Sequence, residues 1–267
     1  MAGVQILWYN KNIERCIFVD ENKILRFAQL IKDSKNIVFF GGAGVSTESG
    51  MKDYRSEDGL YNTVKQYKVS PETILSRSFF GQHPDVFYDF YYNYFLNTTA
   101  EPNRAHYALV ELEKMGKLKA VITQNVDGLH QRAGSEKVIE LHGTILKHYC
   151  PTCKTVMPNE QVKALGGQIP RCEKCRHVVR PYVVLYEEPL NEQVIESAID
   201  AISSADLLII GGTSLAVYPA ANFLRYFTDE NIVLINRDET QIDSKATLVF
   251  RESIGDVLSD VVKKYNE

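Results

Sequence analysis

Two Cys-x2-Cys pairs, Cys150/Cys153 and Cys172/Cys175, stand 18 residues apart in this chain. That spacing falls inside the 15 to 20 residue window of zinc ribbons. Each tight pair can present two thiolates to one ion, and two pairs close a four-sulfur tetrahedral shell with no position left for water. Such a shell is structural rather than catalytic, and one zinc per chain is expected. The competing readings are disulfides and a redox Cys-x-x-Cys, which needs only one pair beside a helix start. The segment around the pairs, Lys147 to Arg180, is polar, is broken at Gly166-Gly167, and holds few large apolar residues. A stretch of this kind cannot build its own core and needs a staple. His148 and His177 flank the sulfurs, but four thiolates suffice, so both histidines are expected at the surface. The fifth cysteine, Cys16, stands apart.

The rest of the 267 residues reads as one large α/β unit. Length allows about two units of roughly 150 residues, or one domain with a smaller insert. Short apolar runs alternate with helical patterns, as in βαβ units around a parallel sheet. The runs are Asn36 to Gly41, Leu118 to Thr123, Val138 to Leu141, Asp206 to Gly211, Asn231 to Ile235 and Ala246 to Phe250. Six strands suit a doubly wound parallel sheet. Asn103 to Met115 has Ala105, Ala108, Leu109 and Leu112 at helical spacing, with Asn103 in N-cap position and Gly116 as a stop. The stretch 59–99 is rich in Tyr and Phe, helical in pattern, and interrupted by Ser70-Pro71 and His83-Pro84, so it reads as a helical insert.

Composition narrows the function classes. With 30 basic against 34 acidic residues the net charge is −4, which leaves no broad basic field for nucleic acid or anionic lipid. No stretch approaches the ~20 apolar residues of a membrane helix. The opening residues, 1–20, lack the basic leader, apolar core and cleavage site of a secretory signal. A cytoplasmic, reducing compartment is therefore expected, where disulfides are rare.

The chemistry-bearing residues gather at strand ends. Phe39 to Ser46 runs from a strand through Gly41, Gly42 and Gly44 into a helix start at Ser46, Thr47, Glu48 and Ser49. Glycines let a phosphate approach the backbone, and free N–H groups at a helix start supply an anion site; a merely tight turn would look the same. The third glycine of the dinucleotide fingerprint is missing, and no acidic residue ends the next strand, which argues against a hydride-transfer enzyme. Gly211-Gly212-Thr213-Ser214 and Asn236 end two further strands, either as ordinary loops or as one edge of a nucleotide-sized site. His142, beside Gly143 at another strand end, is placed to act as a base near neutral pH. The other histidines lie in inserts, on a helix or, for His130, at a turn.

Taken together, GGAGVSTESGMKDYRS (41–56), TQNVDGLH (123–130), ELHGT (140–144), the two Cys-x2-Cys pairs, RPYVVLYEE (180–188) and GGTSLAVYPAA (211–221) resemble the sirtuins, NAD-dependent protein-lysine deacylases, and most closely their bacterial branch. The resemblance runs from about Glu21 to the C-terminus. It implies a Rossmann-like NAD-binding domain from 21–58, 100–146 and 181–267. The helical insert 59–99 and the zinc-binding insert 147–180 then form a small domain, with 1–20 as an extension. It also implies that Ala43, Thr47, Tyr54 and Arg55 hold the NAD diphosphate and cover the nicotinamide, and that Gln124, Asn125, Val126 and Asp127 form the nicotinamide and ribose pocket. His142 would be the general base, with Asn125 beside it in the chemistry. Thr213, Ser214 and Asn236 would contact the adenosine, and Ile254 would close over the adenine. Val183, Val184 and Tyr186 would pair an acetylated lysine peptide as an added strand.

The implied reaction makes physical sense. Nicotinamide becomes a leaving group once its ring is twisted and buried, the acyl-lysine carbonyl oxygen captures the anomeric carbon it vacates, and His142 takes a proton from a ribose hydroxyl. The products are free lysine, nicotinamide and O-acetyl-ADP-ribose. An ADP-ribosyltransferase or NAD glycohydrolase using the same pocket is the alternative reading, and a non-catalytic NAD-binding regulator is a third. Three positions depart from the family. Lys52 stands where Pro is usual, Glu187 where many members have Gly, and Tyr94 replaces the Arg of the Tyr-x-x-Arg that serves acidic acyl groups. The last implies a preference for neutral groups such as acetyl.

Overall fold

Continuous apolar runs make strands that are buried on both faces, and that burial fixes the centre of the fold. The computed structural model describes residues 19–52 and 64–267. Cys16, Tyr54 and Arg55 lie outside them. The strands are β1 (Ile37–Gly41), β2 (Leu118–Thr123), β3 (Val138–Glu140), β4 (Gly143–Tyr149), β5 (Val156–Pro158), β6 (Arg180–Val183), β7 (Leu207–Gly211), β8 (Ile232–Ile235) and β9 (Leu248–Phe250). Six of them form one sheet in the order β3-β2-β1-β7-β8-β9, every pair parallel. All six runs read from the sequence are strands of this sheet.

Alternate residues of each strand feed opposite cores. On one face Phe39, Val121, Ile209 and Val233 pack with Phe27, Leu109 and Val257 from the helices Glu21–Asp33, Arg104–Lys114 and Ile254–Asn266. On the other, Phe40, Leu208 and Ile210 pack with Ile202 of the helix Glu192–Ser203 and Phe223 of the 3-10 turn Ala220–Tyr226. Phe39 and Phe40 are both fully buried, each contributing on the order of 2 kcal/mol by burial. The helix Arg104–Lys114 begins at Asn103, as its spacing predicts. The helix Glu21–Asp33 begins at Asp20, whose carboxylate accepts the Asn22 N–H at 3.0 Å.

The winding sets the site. From β1 the chain moves outward through β2 to β3, then returns to the other side of β1 with β7. The two directions part between β1 and β7, where an open parallel sheet leaves a crevice at the carboxyl ends of its strands. Gly41 pairs with Gly211 there, and the turns that follow lie against each other. The Gly44 N–H donates to the Gly212 carbonyl at 2.8 Å, and a Cβ on Gly44 would lie 2.7 Å from the Gly212 Cα. Only glycine allows that approach.

The smaller module packs short helices on a three-stranded antiparallel sheet, β5-β4-β6. Its core is the aromatic run, with Phe87, Tyr88, Phe90 and Tyr91 of the helix Pro84–Tyr91 packed on Ile74, Ile145 and Leu185. The helical reading of 59–99 holds for its described part: helices Val64–Tyr67, Pro71–Ile74, Arg77–Gln82 and Pro84–Tyr91 are followed by a π-helical turn, Tyr92–Leu96. His148 corrects an expectation: it is fully buried on β4, its Nε2 3.1 Å from the Tyr91 hydroxyl, and burial lowers its pKa to about 4. Its position on an inward face of β4 outweighs its neighbouring cysteines. His177 is exposed as expected. Among the described residues no helix is long and apolar enough to cross a membrane.

Candidate active site

The crevice opens into a cavity of about 630 Å³ between the large sheet and the small module. Of the cofactor, catalytic and peptide residues expected from the sequence, Ala43, Thr47, Gln124, Asn125, Val126, Asp127, His142, Val183, Val184, Tyr186, Thr213, Ser214, Asn236 and Ile254 all line it. Tyr54 and Arg55 lie outside the described residues.

After β1 the chain does not enter an α-helix. Ala43–Val45 and Thr47–Ser49 are two single 3-10 turns, and Gly50, at φ 83°, ends them in the left-handed region. The helix start expected at Ser46 to Ser49 is thus corrected: a glycine four residues in leaves no room for α-helical bonds to propagate. The side chains are locked by bonds across the crevice. The Asn125 amide donates to the Ser46 hydroxyl at 3.0 Å, which in turn donates to the Asp127 carboxylate at 2.7 Å. Asp127 also accepts the Leu129 N–H at 2.9 Å. Burial holds its pKa above the ordinary carboxylate range, partly offset by these bonds. The Gln124 amide donates to the Thr213 hydroxyl at 3.0 Å, tying the turn after β2 to the turn after β7.

His142 ends the loop between β3 and β4. Its Nδ1 lies 2.9 Å from the Gln124 carbonyl oxygen. A carbonyl can only accept, so the Nδ1 carries the proton and the Nε2 lone pair is left as the basic atom. Burial lowers the His142 pKa below its usual value, with the Gln124 bond opposing, so the ring is neutral at physiological pH. A neutral imidazole with its tautomer fixed in this way offers the cavity a proton acceptor.

The far wall is the segment leaving β6. The Val184 N–H donates to the His142 carbonyl at 2.9 Å and the Tyr186 N–H to the Leu75 carbonyl at 3.0 Å. Arg180 and Glu188 brace it from behind: the guanidinium meets both carboxylate oxygens at 2.6 and 2.7 Å and the Val183 carbonyl at 2.9 Å, while Glu188 accepts the Leu185 N–H at 2.9 Å. Glu187, at φ 73°, occupies the left-handed region that favours glycine. Its carboxylate accepts the N–H and hydroxyl of Ser78 at 2.9 and 2.8 Å, which offsets the strain.

Several cavity residues carry no signal in the sequence. Phe87, Phe95 and Ile145 form an apolar wall but read as ordinary core. Glu48 lines the cavity and accepts the Ser253 hydroxyl at 2.5 Å and the Gly255 N–H at 3.1 Å, capping a helix some 200 residues away. Asp238, two residues beyond Asn236, accepts the Asn236 amide through its backbone carbonyl at 2.9 Å.

At the other end of β4, the four sulfurs of Cys150, Cys153, Cys172 and Cys175 lie within 4.8 Å of one another, with three separations of 3.4 to 3.5 Å. A tetrahedral zinc with ~2.3 Å bonds sets sulfurs about 3.8 Å apart, and disulfide sulfurs lie at about 2.05 Å, so the cluster fits a metal. Both pairs share one turn: the Lys154 N–H donates to the Cys150 carbonyl and the Arg176 N–H to the Cys172 carbonyl, at φ 61° and 62°.

Residues 42–219 match the model of the Sir2 family. An NAD-dependent protein deacetylase of Clostridium perfringens (strain 13 / Type A) is 54% identical over 243 residues, covering 91% of this chain and 99% of that protein. A solved Sir2 enzyme structure superposes with a TM-score of 0.83 at 39% identity, covering 92% of this chain and 99% of the other. A second, holding a deacetylated p53 peptide and 3′-O-acetyl ADP ribose, gives 0.81 at 37% identity over 90% and 97%.

Proposed function

The chain belongs to the Sir2 family and is an NAD-dependent protein-lysine deacetylase that binds NAD and one structural zinc; we propose that His142 is its base, with the following division of labour. The carrying observation is the His142 imidazole fixed on the Gln124 carbonyl at 2.9 Å, in one cavity with a glycine-walled turn and a peptide-facing segment. The sulfur geometry fits the metal, and a cavity of about 630 Å³ lined by Gly42, Ala43, Gly44 and Gly212 fits a nucleotide-sized cofactor.

NAD, when bound, supplies the nicotinamide leaving group and the carbon that accepts the acyl oxygen. Ala43 and Thr47 hold its diphosphate, joined by Tyr54 and Arg55. Gln124, Asn125, Val126 and Asp127 receive the nicotinamide and its ribose. Asn125 orients the reacting end, held by Ser46 and in turn by Asp127. Thr213, Ser214, Asn236 and Ile254 form the adenosine end. His142 Nε2 accepts a ribose hydroxyl proton, raising that oxygen's nucleophilicity toward the acyl carbon, and one water is consumed as the acyl carbon–nitrogen bond breaks and lysine is freed. Val183, Val184 and Tyr186 pair the backbone of an acetylated peptide, a mode that tolerates many sequences. Cys150, Cys153, Cys172 and Cys175 hold the zinc away from the chemistry. The helical insert 59–99 and the zinc-binding insert 147–180 make up the small domain together with β4 and β6, which carry the chain into and out of it, and the protein works in the cytoplasm, whose reducing conditions suit the thiolate cluster.

Mass spectrometry of an acetyl-lysine peptide incubated with and without NAD tests this. Free lysine and O-acetyl-ADP-ribose should appear together and only with NAD. Nicotinamide released without deacetylated peptide would favour a glycohydrolase.

A further inference from the structure

The turn pair Ala43–Val45 and Thr47–Ser49 has only single 3-10 turns of its own, and its carbonyls reveal what else holds it. Those of Gly42, Ala43, Ser46 and Thr47 accept backbone N–H groups from Val45, Ser46, Ser49 and Gly50, and that of Gly44 accepts the Thr47 hydroxyl at 3.0 Å. The Val45 carbonyl accepts from a different element: the side-chain amide of Asn103 donates to it at 2.8 Å, and to the Ser49 hydroxyl at 3.0 Å. One amide group thus grips both halves of the pair from behind, while the cavity is lined from the front by Ala43, Ser46, Thr47 and Glu48. Asn103 is itself fixed. Its Oδ1 accepts the Ala105 N–H at 2.9 Å, and its own N–H donates to His106 Nδ1 at 3.2 Å. His106 is fully buried against His130, ring centroids 4.7 Å apart. The cap of an eleven-residue helix is therefore also a bracket on the turn.

We infer that Asn103 is a positioning residue for NAD: it touches no cofactor, but holds the turn that does. The inference rests on the NAD site proposed above. Backbone groups that meet an anion contribute most when they are already oriented, so loosening the bracket weakens cofactor binding uniformly rather than slowing the chemical step.

Three substitutions test it. Asn103→Ser keeps a capping oxygen but is too short to reach Val45. Asn103→Ala removes cap and bracket together. Asp20→Ala removes a cap of the same kind from a helix remote from the turn. With NAD alone in calorimetry, Asn103→Ser and Asn103→Ala should bind roughly tenfold more weakly than the wild type, the scale of two neutral hydrogen bonds, while Asp20→Ala binds normally. Melting temperature should fall for all three, and less for Asn103→Ser, which keeps the cap, than for Asn103→Ala. With saturating acetyl peptide, the KM for NAD should rise and kcat stay within about twofold. Unchanged NAD affinity in Asn103→Ser would overturn the inference, as would NAD affinity that simply follows melting temperature across the three. Failure of the wild type to bind NAD would instead overturn the parent reading.

Discussion

His142 and Glu187 both work against an ordinary preference. For His142 the cost is solvation: burial disfavours the imidazolium and lowers the pKa below 6.5, with the Gln124 carbonyl pulling the other way. If His142 is the base it acts when neutral, so activity should be full above the folded pKa and fall as protons are taken up below it. The acid limb of kcat/KM for NAD against pH should therefore have its midpoint below 6.5; a midpoint at or above that value would place the titrating group elsewhere. His142→Ala should lose at least 100-fold in deacetylation while still binding NAD in calorimetry. For Glu187 the cost is backbone strain at φ 73°, offset by two bonds to Ser78. Alanine at 187 keeps the strain and loses the bonds, whereas glycine loses both. Denaturant unfolding should accordingly find Glu187→Ala about 1 kcal/mol less stable than Glu187→Gly, and equal stabilities would show that position 187 carries no strain for the Ser78 bonds to offset. This explains the departure from the family's glycine, which the sequence alone records without a reason.

At the level of elements, what could be read beforehand and what could not divide by the range of the determining contacts. β1, β2, β7 and β8 announce themselves because strands covered on both faces need continuous apolar runs, and Asn103 announces a helix because its cap is local. The turn after β1 does not: its anchors are Asp127, 81 positions from Ser46, and Asn103, 58 from Val45, which only the winding of the sheet brings near. The burial of His148 is hidden from the sequence for the same reason, its partner Tyr91 lying 57 residues back. The segment leaving β6 is set by shorter-range contacts, Arg180 and Glu188 lying eight residues apart. Its shape depends on the Arg180–Glu188 fork, whose side chains are 11% and 16% exposed. The fork and the Leu185 N–H lower the Glu188 pKa despite its desolvation. Arg180→Lys keeps the charge but cannot make the bidentate contact and the Val183 bond together. The KM for acetyl peptide should rise about tenfold with NAD affinity unchanged; a loss of NAD affinity of the same size would mean that the fork supports the whole cavity and not the peptide side alone.

Across the whole molecule, β4 joins two chemistries that never touch. It leaves His142 at Gly143 and ends at Tyr149, one residue before Cys150. Its register with β6 spans Gly143↔Val183 to Tyr149↔Arg180, so the same ladder carries the proposed base at one end and the cysteine cluster at the other. The cluster's apolar support is slight, Cys150 and Cys172 packing with Val179 and the partly buried Met157. The large sheet, by contrast, has a core on each face. Loss of metal should therefore not unfold the chain uniformly. The purified protein should hold about one zinc per chain. After chelation, helical circular dichroism should be largely kept and limited proteolysis should cut first between 147 and 180. Deacetylation should fall with metal content and return when zinc is restored. Calorimetry with NAD should find some affinity retained, since Ala43, Thr47, Thr213 and Ser214 stand on the sheet that keeps its core. A metal-free protein as active as the loaded one would show that β4 is held by its packing on the aromatic helices, with the four sulfurs dispensable to the site.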